Sequence, residues 1–308
     1  TGFAGANHIR LGPDAKIVIR QNCRLTANSC LFQRCDSAMW ESIIIEPGGE
    51  LVLNGWQVRD AKAAVTSLGG AKYTINTTDL FRNYIGIKVE PASGIHPVTI
   101  VSSNIVGAVL GYAPYAGVRS RYGIQLTLVD SIVIGVAGSL TNENTIRDVE
   151  VGLYALTSKV GLVRNRFLTI TQPSMYIQPG CCAFNTCNDP AICFPPQKGV
   201  GVWIIGGHAE IGGQNATTDV NRFKNCTNGI LIEADAVINI RNNEFQAIES
   251  SNPSILSYSI WVRRCKGVFH WITDNTFMTS RNGIYYEFNS AMSVFLNGNV
   301  RDAQKLLE

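Results

Sequence analysis

The chain has 308 residues, 45% of them hydrophobic and 16% charged, a balance that supports a packed core and excludes a disordered chain. Its 26 basic and 23 acidic residues give a net charge of +3 and are scattered without blocks, so no nucleic-acid partner is expected. No apolar run approaches the roughly 18 residues that cross a bilayer, so no membrane span is expected either. The chain begins at Thr1 rather than Met and reads as a mature or excised piece.

Residues 1–41 carry short apolar alternations that read as opening coils, and three cysteines, Cys23, Cys30 and Cys35, whose cluster admits one disulfide and one free thiol. From Ser42 two motifs alternate. The first is a small residue followed by an alternating strand: Ser42-Ile-Ile-Ile-Glu46, Ala64-Val-Thr-Ser-Leu68, Gly86-Ile-Lys-Val-Glu90, Gly123-Ile-Gln-Leu-Thr127 and Gly152-Leu-Tyr-Ala-Leu156. It continues as Gly201-Val-Trp-Ile-Ile205, Gly229-Ile-Leu-Ile-Glu233, Ser259-Ile-Trp-Val-Arg263 and Gly283-Ile-Tyr-Tyr-Glu287. The second lies between these and ends in Asn-x-hydrophobic: Asn104-Ile105, Asn144-Thr-Ile146, Asn165-Arg-Phe167, Asn221-Arg-Phe223, Asn243-Glu-Phe245 and Asn275-Thr-Phe277, with Asn299-Val300 ending the series. Asn tolerates the left-handed conformation better than most residues, so each Asn reads as a corner between short strands.

The first motif starts at intervals of 22, 22, 37, 29, 49, 28, 30 and 24 residues, which fits a coil of about 22 to 24 residues with insertions. The insertions are expected at about 91–120, around Gly111-Tyr-Ala-Pro-Tyr115, and at 157–200. Cys181, Cys182, Cys187 and Cys193 crowd the second, a density that favours disulfide staples and an oxidising compartment; a zinc site is the rival, but no C-x-x-C pair is present. Cys226 and Cys265 read as small core hydrophobes, and the tail, 301–308, reads as a short helix from Arg301 to Leu307.

A coil of this size cannot bury its own apolar side, but coils stacked about 4.8 Å apart make one hydrophobic cylinder. The expected fold is therefore all-β: a single domain over 1–308, built as a single-stranded right-handed parallel β-helix, a solenoid of about 9 to 11 coils with inserted loops. A sandwich would not repeat both motifs in phase, and a propeller blade needs about 40 residues.

The two motifs, over about 42–300, resemble the right-handed parallel β-helix repeat superfamily, which contains pectate lyases, polygalacturonases and large bacterial surface proteins. The stretch Cys35-Asp-Ser-Ala-Met-Trp40, with Gly48-Gly49-Glu-Leu-Val-Leu53, is similar to the first coils of secreted bacterial members. That resemblance implies an extracellular or cell-surface location. It implies fold far better than activity.

In register, the first motif gives two outward columns. One holds Lys88, Gln125, Tyr154, Trp203, Leu231, Trp261 and Tyr285. Flat rings in a row suit stacking on sugar rings, so Tyr154, Trp203, Trp261 and Tyr285 are the candidate substrate-binding residues for an extended polysaccharide; alternatively, an inserted loop covers them. The other column ends in Glu233, Arg263 and Glu287, which read as a surface ion-pair ladder or as the catalytic residues of a polysaccharide lyase or glycoside hydrolase. The catalytic patterns of polygalacturonases, pectate lyases and pectin methylesterases are absent. His208 with Glu210, and His270, read as structural histidines. No cofactor is implied; Asp148 and Glu150 would make an incomplete calcium site. Three functions stay open: a non-catalytic polysaccharide binder, an enzyme on the same face, and a stalk or adhesin segment with no glycan ligand.

Overall fold

A computed structural model of the chain describes residues 2–3, 7–95, 97–170, 199–250, 257–265, 269–287, 293–297, 300–302 and 305–307. Among these residues there is no helix, and the strands form two sheets of 13 and 16 strands. One stack of eleven strands runs from Lys16–Ile19 to Lys305–Leu307, and another from Gly2–Phe3 to Val300–Asp302. Every strand pair is parallel, and each strand pairs with its counterpart one coil later: Tyr122–Thr127 with Val151–Leu162, that strand with Val200–Ile211, and that one with Asn228–Glu233. This is a parallel β-helix. Among the described residues the one antiparallel contact is the isolated bridge between Val109 and Arg119, so neither a sandwich nor a propeller fits.

Each coil has three faces. In one coil they are Tyr122–Thr127, Val129–Ile134 and Asn144–Arg147; the next coil follows with 151–156, 158–162 and 165–168. The corners are left-handed residues. Leu128 and Thr157 (φ 51° and 46°) turn the first face into the second, Arg164, Asn242 and Asp274 (59°, 53° and 55°) the second into the third, and Thr169, Asn225, Ala247 and Thr279 (50° to 53°) leave the third.

The repeated asparagines are not the left-handed corners. Asn165, Asn243 and Asn275 each follow the left-handed residue and point inward, at 0%, 1% and 0% exposure. There they form a ladder. Asn144 Nδ2 donates to Asn165 Oδ1 (3.1 Å), Asn165 to Asn221 (3.2 Å), Asn221 to Asn243 (3.1 Å) and Asn243 to Asn275 (3.0 Å). The same amides donate to the corner carbonyls of Ile100, Ile134, Leu162, Ile211 and Ile240, which a buried bend would otherwise leave unsatisfied. Only an amide offers two donors and an acceptor at this reach. At the lower end Ser103, rather than its neighbour Asn104, holds the ladder position, receiving Thr78 N–H and donating its own N–H to Asn144 Oδ1.

The glycines and the phenylalanines fit each other. Phe167, Phe223, Phe245 and Phe277 stack through the coil interior with centroids 4.9 to 5.1 Å apart and planes within 9°. A Cβ on Gly201 would stand 2.7 Å from Gly229 O and 2.8 Å from Phe223 Cδ1. The small residue opening each strand therefore clears space for the ring from the third face, and its φ is ordinary.

Several expectations change. Val300–Asp302 and Lys305–Leu307 are strands paired with Thr276–Met278 and Asn282–Glu287, not a tail helix. An open rung offers unpaired backbone groups, and a lone seven-residue helix is too short to compete. Within 91–120, Ala92–Ile95, Val98–Val101 and Asn104–Val106 are strands of the solenoid, so the excursion is confined to 107–121. Within 157–200 the coil continues to Ile170. None of Cys23, Cys30 and Cys35 is in a disulfide: Cys30 points inward, while Cys23 and Cys35 are exposed. The strand Arg24–Arg34 between them, rising about 3.3 Å per residue, holds the thiols apart. Cys226 and Cys265 are fully buried as expected. Cys181, Cys182, Cys187, Cys193 and Asn299 lie outside the described residues.

Candidate functional site

The first face carries the candidate residues, and both columns are in the expected register. Gln125 pairs with Tyr154, Tyr154 with Trp203, Trp203 with Leu231, Leu231 with Trp261 and Trp261 with Tyr285. Ile205, Glu233, Arg263 and Glu287 follow one another in the next column.

Their burial differs from an exposed row. Trp203 is 4% exposed and Leu231 fully buried, although both project away from the coil interior. They belong to a second apolar cluster, separate from the core, with Tyr122, Val151 and Val200, against which Ile85, Tyr154, Ile205 and Trp261 pack. Ile85, Tyr122, Val151 and Val200 form a third outward column, in register, at the position just before the small residue. This column was overlooked although its signal stood in the sequence. Where these columns are apolar they make an outer layer together with Ile205, so the middle of the face is filled, and of the four candidate rings Tyr154, Trp261 and Tyr285 stay partly exposed.

Glu233 and Arg263 are not a surface pair. Their side chains are 7% and 8% exposed, with Arg263 Nε 2.5 Å from Glu233 Oε1. Trp203 Nε1 donates to Glu233 Oε2 at 2.6 Å, and the Arg263 guanidinium lies 4.6 Å from the Trp261 ring centre. Four candidates thus form one chain: Trp203, Glu233, Arg263, Trp261. Both oxygens of Glu233 are engaged, an arrangement that links the two tryptophans through Arg263. Arg263 Nη2 is enclosed and lacks a hydrogen-bond partner. Glu287 takes the rung after Arg263; its side chain lies outside the described residues.

The rings form two groups separated by Leu231. Tyr122, Tyr154 and Trp203 lie at successive centroid spacings of 5.2 Å, and Tyr258 stacks on Tyr285 at 4.6 Å and beside Trp261 at 5.4 Å. Burial raises the hydroxyl pKa of Tyr122 and Tyr154 above the usual tyrosine value, so both stay neutral. Next to the first group, Tyr115 from the excursion stacks on Tyr84 at 3.7 Å, and Arg121 Nη1 reaches the Tyr84 hydroxyl. Nothing in the local pattern announced that contact, because it joins an insertion to a coil.

His208 Nε2 sits 3.1 Å from Glu210 Oε1 in a half-buried pair. His270 is fully buried, with Nε2 3.1 Å from Ala236 O, and burial lowers its pKa. Asp148 is engaged by Arg147. Among the described residues no group of three or more His, Cys, Asp or Glu side chains is placed to hold a metal ion, and no helix is long and apolar enough to cross a membrane.

No family model matches the chain, and no curated protein matches it. A solved structure described as the crystal structure of PfbA, a surface adhesin of Streptococcus pneumoniae, is similar over 97% of this chain and 82% of its own, at 11% identity and a TM-score of 0.30.

Proposed function

We propose that the outer face of the coils from Tyr122 to Tyr285 binds an extended polysaccharide without cleaving it, in a protein that works outside the cell or at its surface. The observation that carries this reading is the set of partly exposed rings Tyr154, Trp261 and Tyr285, held in register and backed by a buried layer rather than by solvent. Rungs about 4.8 Å apart give such rings fixed spacings, and a rigid sheet binds an extended chain with little ordering cost on the protein side. The commitment of both Glu233 oxygens favours binding over catalysis, and the cysteine density of 171–198 favours an oxidising compartment.

The test is a polysaccharide array probed with the wild type and with Trp261→Ala/Tyr285→Ala. Trp203 is unsuited to it, because the ring is buried and its loss would disturb the face. Binding that drops at least tenfold in a variant of unchanged melting temperature is the expected result. Equal binding by both proteins, or none by the wild type, would defeat the proposal.

A further inference from the structure

The first coils carry a second feature, at the corner that leads into the first face and built from residues other than the candidate rings. Asp60, only 3% exposed, stands at a left-handed corner with φ 60°. Three guanidiniums surround it: Arg82 Nε at 3.1 Å from Oδ1, and Arg59 Nε and Arg34 Nε at 3.8 and 4.0 Å from Oδ2. Arg34 closes the strand Arg24–Arg34, Arg59 closes Glu50–Arg59, and Arg82 follows Lys72–Phe81, so three successive coils each deliver one arginine to the same corner. With Arg10 they line a cavity of about 310 Å³. Its wall is Tyr112, whose ring centre lies 3.3 Å from the Arg34 guanidinium carbon. Tyr112 arrives from the 107–121 excursion, which the bond from Met39 N–H to Ala113 O (2.8 Å) ties to the coils.

The charges do not balance. Four arginines against one aspartate leave the cavity lining with a formal excess of 4 − 1 = +3. Gln33 Oε1 accepts from Arg59 Nε at 3.1 Å, but Arg34 Nε is enclosed with no hydrogen-bond acceptor. Like charges on neighbouring rungs oppose folding, and one carboxylate cannot satisfy four forked donors. An anion with several oxygens would do both jobs, and the planar guanidinium matches such groups two bonds at a time.

We propose that this cavity is a binding site for an oxyanion, the carboxylate or sulfate group of an acidic ligand. Arg34, Arg59 and Arg82, preorganised by Asp60 and Tyr112, supply the donors, and Arg10 closes the outer side. Sulfate and uronate share this chemistry, and separate probes distinguish them.

Titration calorimetry of the whole chain at low ionic strength, with sodium sulfate, sodium glucuronate and neutral glucose, tests the site. Saturable binding of sulfate or glucuronate but not glucose is expected. Arg34→Gln/Arg82→Gln should weaken it by about tenfold or more, the scale of a lost charge-assisted bond. If that variant does not fold, Arg10→Gln decides, because Arg10 is exposed and makes no ion pair with Asp60; a drop of about threefold is expected there. No saturable binding of either anion by the wild type, or unchanged affinity in a folded variant, overturns the proposal.

Discussion

Two aromatic ladders climb the same coils, one inside and one outside, and they are ordered by different forces. Inside, Phe167 to Phe277 repeat at 4.9 to 5.1 Å with planes within 9°. Outside, Tyr154 meets Trp203 at 77°, Trp261 meets Tyr285 at 47°, and Leu231 interrupts the series. The rung spacing is common to both, so it is not what aligns the inner rings. Those rings are enclosed by glycines on one side and neighbouring rings above and below, which leaves one orientation. The outer rings are tied by the Trp203–Glu233 bond and the Arg263 contact with Trp261, and so they splay. A closed stack has no surface left to offer; a splayed one presents faces and edges to a ligand.

This contrast yields ordered predictions. Phe245→Ala should cost about 3–5 kcal/mol by opening a cavity in the stack, read as a fall in denaturant midpoint. Asn243→Ala, which strands corner carbonyls and breaks two ladder bonds, should cost about 2–3 kcal/mol in the same assay. Trp203→Phe removes the donor to Glu233 and should cost about 1–2 kcal/mol in that assay. Trp261→Ala/Tyr285→Ala should stay within about 1 kcal/mol of wild type. If that double variant fell as far as Phe245→Ala, the outer ladder would be a second core and the contrast would collapse. The smallest effect concerns pH. The folded pKa of His270 is lowered by burial, so the folded state favours the neutral ring; stability is fully present above the unfolded value of about 6.5 and declines as pH falls from there through the folded pKa. Melting temperatures from pH 7.5 to 5 should show this decline in the wild type and less of it in a folded His270→Asn variant.

Much of the architecture was legible, because a solenoid repeats its side-chain requirements at every rung. The small residue, the Asn and the Phe each recur since the same space and the same carbonyls recur, and the outward columns followed from strand alternation. The reason for the Asn was misread: a buried amide ladder and a left-handed turn favour the same residue, and the turn itself sits on Arg164, Asn242 and Asp274, which share no signature. The burial of Trp203 and Leu231 was missed because alternation tells which way a side chain points and not what lies over it. The arginine corner was invisible for a related reason. Arg34 and Arg59 close their strands and Arg82 follows its own, and only the stacking brings them together.

The corners also determine where this molecule tolerates change. Residues 171–198 stand between Ile170 and Gly199, yet Leu153 still pairs with Val202 and Tyr154 with Trp203, as if nothing had been inserted. Register is transmitted through the side-chain ladders and not through the length of chain at the bend. The bend after the third face is accordingly a natural grafting port: a foreign loop spliced there would be displayed at a fixed height along the axis, with the rungs on either side unaware of its length.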